Sequence, residues 1–256
     1  MGKIIAITNQ KGGVGKTTTS VNLSACLAEA GKKVLLLDLD PQGNASSGVG
    51  IDKDSLDTCV YDVLIDEVPL TGIIESTMIK KLKVAPATIQ LAGAEVELVS
   101  MDKRESRLKR ALKQVKKEYD FIIIDCPPSL GLLTLNALVA ADSVLIPIQS
   151  EFYALEGVSQ LIKTIELVQE NMNTSLHIEG VLLTMYDGRT NLSIQVGEEV
   201  KKFFGTKVYK TIIPRNVRLS EAPSYGEPII IYDPRSKGAA VYTSLAKEVI
   251  KYAKKQ

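Results

Sequence analysis

The residues best suited to chemistry are 11–18, which read Lys-Gly-Gly-Val-Gly-Lys-Thr-Thr. They follow a short apolar run at 4–7 and precede an amphipathic helical pattern. Glycines let the backbone wrap closely around phosphate oxygens, with successive N–H groups pointing inward. A helix N-terminus adds partial positive charge, Lys16 adds a full charge, and the Thr17 hydroxyl offers a ligand for Mg²⁺. The segment therefore predicts a loop that binds nucleotide phosphates.

The loop departs from the common phosphate-loop pattern at one position. That pattern places a glycine where this chain has Gln10, and here a second lysine opens the loop instead. A glycine-rich turn with chance lysines is the alternative, and the strand before the loop and the helix after it argue against that. The residues expected to contact ATP in the loop are Lys11, Gly12, Gly13, Val14, Gly15, Lys16, Thr17 and Thr18.

Acidic residues close two further apolar runs. Asp38 and Asp40 end one run, and Asp125 ends another. An aspartate at a strand end beside a phosphate loop can hold Mg²⁺ through water or orient an attacking water. Aspartates that merely cap a turn or a helix are common and form the alternative. Together with the lysine-first loop, Asp40 and Asp125 are predicted to act on Mg²⁺ or on the attacking water. The role of Asp38 stays open between a contact with the metal and a supporting position behind the metal site.

Bulk composition limits the classes of protein. Of the 256 residues 45% are hydrophobic and the net charge is +1, which excludes a generic polycation, so nucleic-acid binding would need a local basic patch. The three cysteines are scattered without metal-type spacing, which favours a reducing compartment. No apolar run approaches membrane-spanning length, and the chain opens on a strand pattern instead of a signal peptide. These features predict a soluble, cytoplasmic protein.

Strand and helix patterns alternate along the chain, which favours an α/β fold in a single domain over residues 1–256. We expect a mostly parallel twisted sheet flanked by helices on both faces, with ligands beyond the carboxyl ends of the strands. The predicted strands are 3–8, 33–38, 82–85, 121–125, 143–148, 178–184 and 207–212. The predicted helices are 16–30, 58–65, 102–118, 131–141, 154–171, 190–204, 216–224 and 239–254.

Three segments together carry a family resemblance. Residues 11–18, 38–43 and 122–129 match the deviant Walker A, Walker A′ and Walker B motifs of the MinD/ParA superfamily of P-loop NTPases. A more specific resemblance is to the ParA/Soj chromosome-partitioning ATPases. It is carried by the residue sequences of 38–44, of 125–129 and of 220–226, the last of which reads Ser-Glu-Ala-Pro-Ser-Tyr-Gly. The resemblance covers nearly the whole chain.

The resemblance implies a Mg²⁺-dependent ATPase of low basal turnover that works as an ATP-dependent homodimer. Two subunits would sandwich two ATP molecules, with Lys16 acting in its own subunit and Lys11 reaching the partner's nucleotide. Thr17 would ligate Mg²⁺, Asp125 would act through the water shell of the ion, and Asp40 would position the hydrolytic water. Cations on both sides suit the charge that spreads on the transferred phosphoryl group.

The resemblance also implies contacts outside the loop. Pro214 and Asn216 match the family's adenine pocket, although Pro214 also suits a strand end and Asn216 a helix cap. Arg189 and Arg218 are the candidates for non-specific binding of double-stranded DNA, and dimer symmetry would double their patch. Solvated surface charge is the alternative reading of both arginines. Lys201 and Lys202 would extend the patch.

The implied partner is a ParB-type centromere-binding protein that stimulates turnover, with the dimer nucleoid-associated and no membrane expected. The main alternative is a MinD-like membrane-associated ATPase for division-site positioning, which needs a bulky interfacial anchor that the last helical pattern lacks. A nitrogenase-type reductase would need a cluster-bridging cysteine pair, and a tyrosine autokinase a terminal tyrosine cluster. A binding module without turnover stays open, and Asp40→Ala would separate it from an ATPase.

Overall fold

The computed structural model describes residues 2–151 and 154–253. Its strands are β1 (Lys3–Ile7), β2 (Val34–Asp38), β3 (Glu75–Ser76), β4 (Leu82–Ala85), β5 (Phe121–Asp125), β6 (Ser143–Gln149) and β7 (His177–Thr184). They form a seven-stranded sheet in the order β3-β4-β2-β5-β1-β6-β7. Only the short edge pairing of β3 with β4 is antiparallel among these strands. The predicted, mostly parallel sheet is confirmed.

Helices cover both faces of this sheet. In the described residues they are α1 (Lys16–Glu29), α2 (Asn44–Ser47), α3 (Val60–Ile65), α4 (Leu91–Glu97), α5 (Arg107–Val115), α6 (Leu132–Ala140), α7 (Ala154–Asn171), α8 (Asn191–Phe204), α9 (Val217–Glu221), α10 (Ile229–Tyr232) and α11 (Lys237–Ala253). Side chains alternate across the central strand, so Ile122 and Ile124 join one core cluster and Ile123 the other. The first cluster packs against α3 to α8, and the second against α1 and α9 to α11.

The predicted strand at 207–212 is wrong. This stretch makes one isolated bridge, from Val208 to Val181, and Pro214 beyond its end makes another, to Tyr186. The backbone N–H groups of Lys210 and Thr211 instead donate to the Glu248 carboxylate of α11, at 2.9 and 3.1 Å. Because a side chain takes these donors, no strand ladder forms.

The predicted start of the helix at Asp102 is also wrong. Lys103 has a φ of 52°, in the left-handed region, so a helix cannot pass through it. A short 3₁₀ turn at Arg104–Ser106 follows, and α5 begins only at Arg107. The helix α5 buries Leu108 and Leu112 in the core.

The last helix packs into the core. Leu245 and Val249 of α11 are buried in the cluster that α11 shares with α1. The hydroxyls of Tyr242 and Thr19 lie 3.2 Å apart and join the two helices. The apolar stripe of α11 therefore faces the core. In neither described segment is a helix both long and apolar enough to cross a bilayer.

Candidate nucleotide-binding site

The loop between β1 and α1 is shaped by two glycines at positive φ. Gly13 has a φ of 72°, and Gly15, which precedes α1, has a φ of 85°. A Cβ added at Gly12 or Gly13 would meet no atom within 4 Å. These positions therefore border open space at the start of a long helix, where an anion is favoured. A side chain at either position would fill that space, so the loop fits a phosphate cradle.

Neighbouring strand ends hold the loop in place. Asn9 Nδ2 donates to the Pro147 carbonyl in β6 at 2.7 Å, and the Lys11 N–H donates to Asn9 Oδ1 at 3.0 Å. The Thr184 hydroxyl at the end of β7 donates to the Val14 carbonyl at 2.9 Å. These hydrogen bonds fix the loop to the carboxyl ends of β6 and β7.

Lys16 places a buried cation beneath the loop. Only 6% of the residue is exposed, and its Nζ donates to the Lys11 carbonyl at 3.0 Å. Burial lowers the pKa of Lys16, while the charges of Asp125 and Asp40 oppose that shift. An anion on the loop would complete the coordination of this ammonium group and favour its charged form.

Parallel register sets Asp38 and Asp125 side by side, since the two residues pair across β2 and β5. Asp125 Oδ1 accepts from the Ser20 hydroxyl at 2.7 Å, but its buried Oδ2 accepts no hydrogen bond from the described residues. Burial, followed by the charge of Asp38, raises the pKa of Asp125 to about 8, and the Ser20 and Thr17 hydroxyls oppose that rise. A buried carboxylate oxygen without a partner, close to the Thr17 hydroxyl, fits a hydrated Mg²⁺ ion.

Asp38, by contrast, has its oxygens occupied. Its Oδ2 accepts from both the N–H and the hydroxyl of Ser46 at 2.7 Å, and its Oδ1 accepts from the Asp40 N–H at 3.2 Å. The Ser46 hydroxyl also accepts from the Ala87 N–H at 3.1 Å. Burial raises the pKa of Asp38 to about 6, and the Ser46 hydrogen bonds oppose that rise. This arrangement favours a supporting position for Asp38.

Asp40 lies on the turn that leads from β2 into α2. Its Oδ1 accepts from the Gln42 N–H at 2.9 Å, and Gly43, with a φ of 61°, starts α2. A Cβ at Gly43 would approach the Ala87 carbonyl to 2.6 Å, so this turn requires glycine. The turn holds Asp40 close enough to Lys16 for its charge to favour the protonated amine.

A cavity of about 320 Å³ opens beside the loop. Pro214 and Asn216 both line it, with Gly15 and Thr18 on the loop side. Asn216 also caps α9, because its Oδ1 accepts from the Arg218 N–H at 2.9 Å. The cap interpretation is therefore confirmed, and the adenine contacts stay predictions. Sequence reasoning missed the other lining residues, among them Thr184, Met185, Leu219, Ser220 and Tyr242.

Arg189 and Arg218 lie on neighbouring segments, which the bridge between Tyr186 and Pro214 joins. Each arginine is paired with carboxylates, and we call the set Arg189, Arg218, Asp187, Glu221 and Asp233 the arginine surface. Lys201 and Lys202 lie in the last turn of α8, roughly 16 Å along the helix from its start, which follows Arg189. Their extension of the patch stays a prediction.

The first lysine of the loop has a partner that the sequence did not reveal. Lys11 Nζ lies 3.1 Å from Glu151 Oε2, and both side chains are partly exposed. Gln149 Nε2 contacts the other oxygen of Glu151. The signal was available, because Glu151 follows the carboxyl end of β6 as Asp40 follows that of β2.

Known proteins match the chain over nearly its whole length. A family model described as an AAA domain matches residues 2–178. The sporulation initiation inhibitor protein Soj of Bacillus subtilis (strain 168) is 71% identical over 249 residues, which cover 97% of this chain and 98% of that protein. The chromosome partitioning protein ParA of Myxococcus xanthus (strain DK1622) is 57% identical over 251 residues, covering 98% of this chain and 89% of the other.

A solved structure shares the fold and holds a nucleotide. Cobyrinic acid a,c-diamide synthase from Mycobacterium smegmatis, with bound ADP and magnesium, superposes with a TM-score of 0.88 at 40% identity, covering 99% of this chain and 96% of that one. Its complex with an ATP analogue and magnesium matches equally well. Identity is higher to the two partitioning relatives, and their motifs recur here in place. The chain belongs to the Soj/ParA family of chromosome-partitioning ATPases.

Proposed function

We propose that residues 1–256 form one ATPase domain that converts ATP and water to ADP and phosphate with Mg²⁺. One observation carries this proposal, namely the unpartnered Oδ2 of Asp125, which is buried at the carboxyl end of β5 close to Lys16. Above these charges lies a glycine loop with open space for phosphates. A buried cation and a buried carboxylate left incomplete at one sheet edge are suited to a phosphate group with its metal ion.

Each residue of the site has a defined task in this proposal. The N–H groups of residues 12–18 and the Lys16 ammonium hold the phosphates, and Pro214 and Asn216 contact the base. Thr17 ligates Mg²⁺ and Asp125 binds its water shell, and the ion neutralises phosphate charge. Asp40 accepts a hydrogen bond from the attacking water and orients it towards the terminal phosphate. Asp38 holds the Asp40 turn through Ser46.

We assign Lys11 a role in a second copy of the chain. Its side chain is 39% exposed and contacts Glu151, whereas Lys16 is buried. In a face-to-face homodimer Lys11 reaches the phosphates of the partner subunit and offsets charge that Lys16 does not reach. Hydrolysis removes the terminal phosphate that Lys11 contacts in the partner subunit, so the dimer dissociates after each turnover.

The ATP-bound dimer binds double-stranded DNA without sequence preference through Arg189 and Arg218. The Arg189 side chain is 90% exposed and that of Arg218 is 55% exposed, as phosphate contacts require. Dimer symmetry gives four such arginines. They form the local basic patch that a chain of net charge +1 needs in order to bind DNA. A ParB-type centromere-binding protein then stimulates hydrolysis and releases the dimer from the nucleoid.

The test is duplex-DNA binding by an Asp40→Ala variant with ATP, with ADP and without nucleotide, at two salt concentrations. Asp40→Ala should bind Mg²⁺-ATP normally and lose hydrolysis, so that the ATP state persists. We expect DNA binding only with ATP, and a tenfold or greater loss of affinity when salt rises fourfold, roughly as for several phosphate contacts.

Two results would contradict the proposal in different ways. Absence of phosphate release from the wild type would favour a binding module without turnover. ATP-dependent dimers that do not bind DNA would favour the alternative function, a MinD-like membrane-associated ATPase. Sedimentation with vesicles would test that function. The buried Leu245 and Val249 of α11 argue against that reading, because an interfacial anchor would present them to lipid.

A further inference from the structure

We propose that the chain carries its own competitors for DNA phosphate, namely the carboxylates of Asp187 and Glu221. Each carboxylate neutralises one arginine of the arginine surface and so weakens DNA binding by a defined factor. The inference rests on the proposed DNA-binding function and concerns how strongly that surface binds.

The pair at Arg189 is two-pronged. Its Nε lies 2.9 Å from Asp187 Oδ1 and its second terminal nitrogen lies 2.8 Å from Oδ2. This is the same fork geometry with which a guanidinium group grips a phosphate. The carboxylate therefore occupies one of the two edges with which the guanidinium group could bind a phosphate, and it neutralises the charge. The Arg189 hydrogen bonds hold the pKa of Asp187 at about 2, so the competitor stays ionised at neutral pH.

The pair at Arg218 uses two carboxylates. One terminal nitrogen donates to Glu221 Oε2 at 2.9 Å, and Nε lies 3.5 Å from Asp233 Oδ2. The hydroxyl of Tyr232 donates to the same Glu221 oxygen at 3.2 Å and holds that carboxylate in place. Arg218 is thus neutralised on two sides in the free chain.

The loop that carries Asp187 neighbours the segment that leads to Arg218. The charge of Arg215 is near enough to Asp187 to lower its pKa, which connects the Arg189 loop with the segment that carries Arg218. Exposed ion pairs are weak, and each changes affinity by up to about fivefold. A symmetric dimer contains each pair twice, so releasing one arginine type should raise DNA affinity roughly 2- to 20-fold. The factor is small enough for a reversible switch and large enough to measure.

The experiment measures duplex-DNA binding of the full chain with Mg²⁺ and a slowly hydrolysed ATP analogue at low and high salt. Asp187→Asn keeps the oxygen that accepts from the Arg189 N–H, and Glu221→Gln keeps an acceptor for Tyr232, so both loops should retain their shape. We expect each amide variant to bind DNA roughly 2- to 20-fold more tightly at low salt, with a smaller gain at high salt.

Two controls separate this idea from a general charge effect. Glu198→Gln removes the same charge from an exposed residue of α8 that forms no ion pair within the described residues. It should raise affinity less than either amide variant. In an Arg189→Ala background, Asp187→Asn should give no gain, since the arginine to be released is missing.

The outcomes distinguish the two proposals. If the wild type binds DNA with the ATP analogue but both amide variants bind equally well, the competitor role is wrong and the DNA-binding function stands. An equal gain from Glu198→Gln, or a gain that survives Arg189→Ala, also overturns it. If neither the wild type nor any variant binds DNA, the proposed function itself fails and the inference fails with it.

Discussion

The nucleotide loop and the arginine surface use charge in opposite ways. At the loop, Lys16 and Asp125 are buried, and Asp125 Oδ2 has no hydrogen bond from the described residues. At the arginine surface the charges are exposed, and each arginine is paired with a carboxylate of its own chain. A buried polar group without a partner is costly and favours a ligand that completes its contacts, whereas exposed ion pairs contribute little and bind weakly. Under the proposed function, this difference predicts a firmly held nucleotide and DNA that is readily released.

The largest expected effect comes from removing the buried cation. Lys16→Ala should lower affinity for Mg²⁺-ATP at least about 100-fold, about 2.7 kcal/mol, because no other described cation lies buried beneath the loop. Titration with a fluorescent ATP analogue would measure it. Arg189→Ala is the control and should change nucleotide affinity less than about twofold. Comparable losses of nucleotide affinity in Lys16→Ala and Arg189→Ala would contradict the assignment of nucleotide binding to the loop and not to the arginine surface.

A smaller effect should follow from the buried serine behind the site. Ser46→Ala removes one hydrogen bond to the Asp38 carboxylate and leaves the Ala87 N–H without its acceptor. The expected cost is about 2 kcal/mol of unfolding free energy, measured by urea titration. Thr190→Ala removes a cap on the exposed side, where Thr190 accepts from the Ser193 N–H at 3.3 Å, and should cost about 1 kcal/mol or less.

The mildest test compares the pH dependence of two aspartates. The pKa of Asp125 is raised to about 8, above its unfolded value near 4, so the folded chain holds extra protons between these values. Unfolding free energy should therefore fall as pH rises from about 4 to 8, and Asp125→Asn should flatten that decline when measured in EDTA. The pKa of Asp187 is lowered to about 2, so its contribution is complete above pH 4 and is lost only below it. Asp187→Asn should thus leave the profile from pH 5 to 8 unchanged, and a changed profile would contradict the assigned shifts.

The sequence predicted the phosphate loop and the sheet well because both depend on local patterns. The apolar runs at β4 and β5 have the predicted bounds. The five residues of β5 are all buried, as suits a central parallel strand, and in β4 only Lys83 is exposed. The register of β2 against β5 then brings Asp38 beside Asp125, which a strand-end rule anticipates.

The misses involve groups that come together only in three dimensions. The failed strand at 207–212 depends on Glu248, a residue far along the chain that takes two backbone donors. Glu151, the partner of Lys11, lies 140 residues along the chain. A strand-end rule places it at the same end of the sheet but does not choose which cation it meets. Hydrophobic periodicity carries no information about such pairs, although it places the helices that present them.

The helix α11 also lines the cavity in which we expect the base to bind. Tyr242 of α11 lines the cavity beside the glycine loop, and Glu248 holds the backbone at 210–211 that leads to Pro214. The wall behind the expected base contacts is therefore built by the chain's final helical segment. A tag or a truncation that loosens α11 would weaken nucleotide binding without touching a single motif residue, and the exchange rates of α11 amides would report whether the pocket is filled.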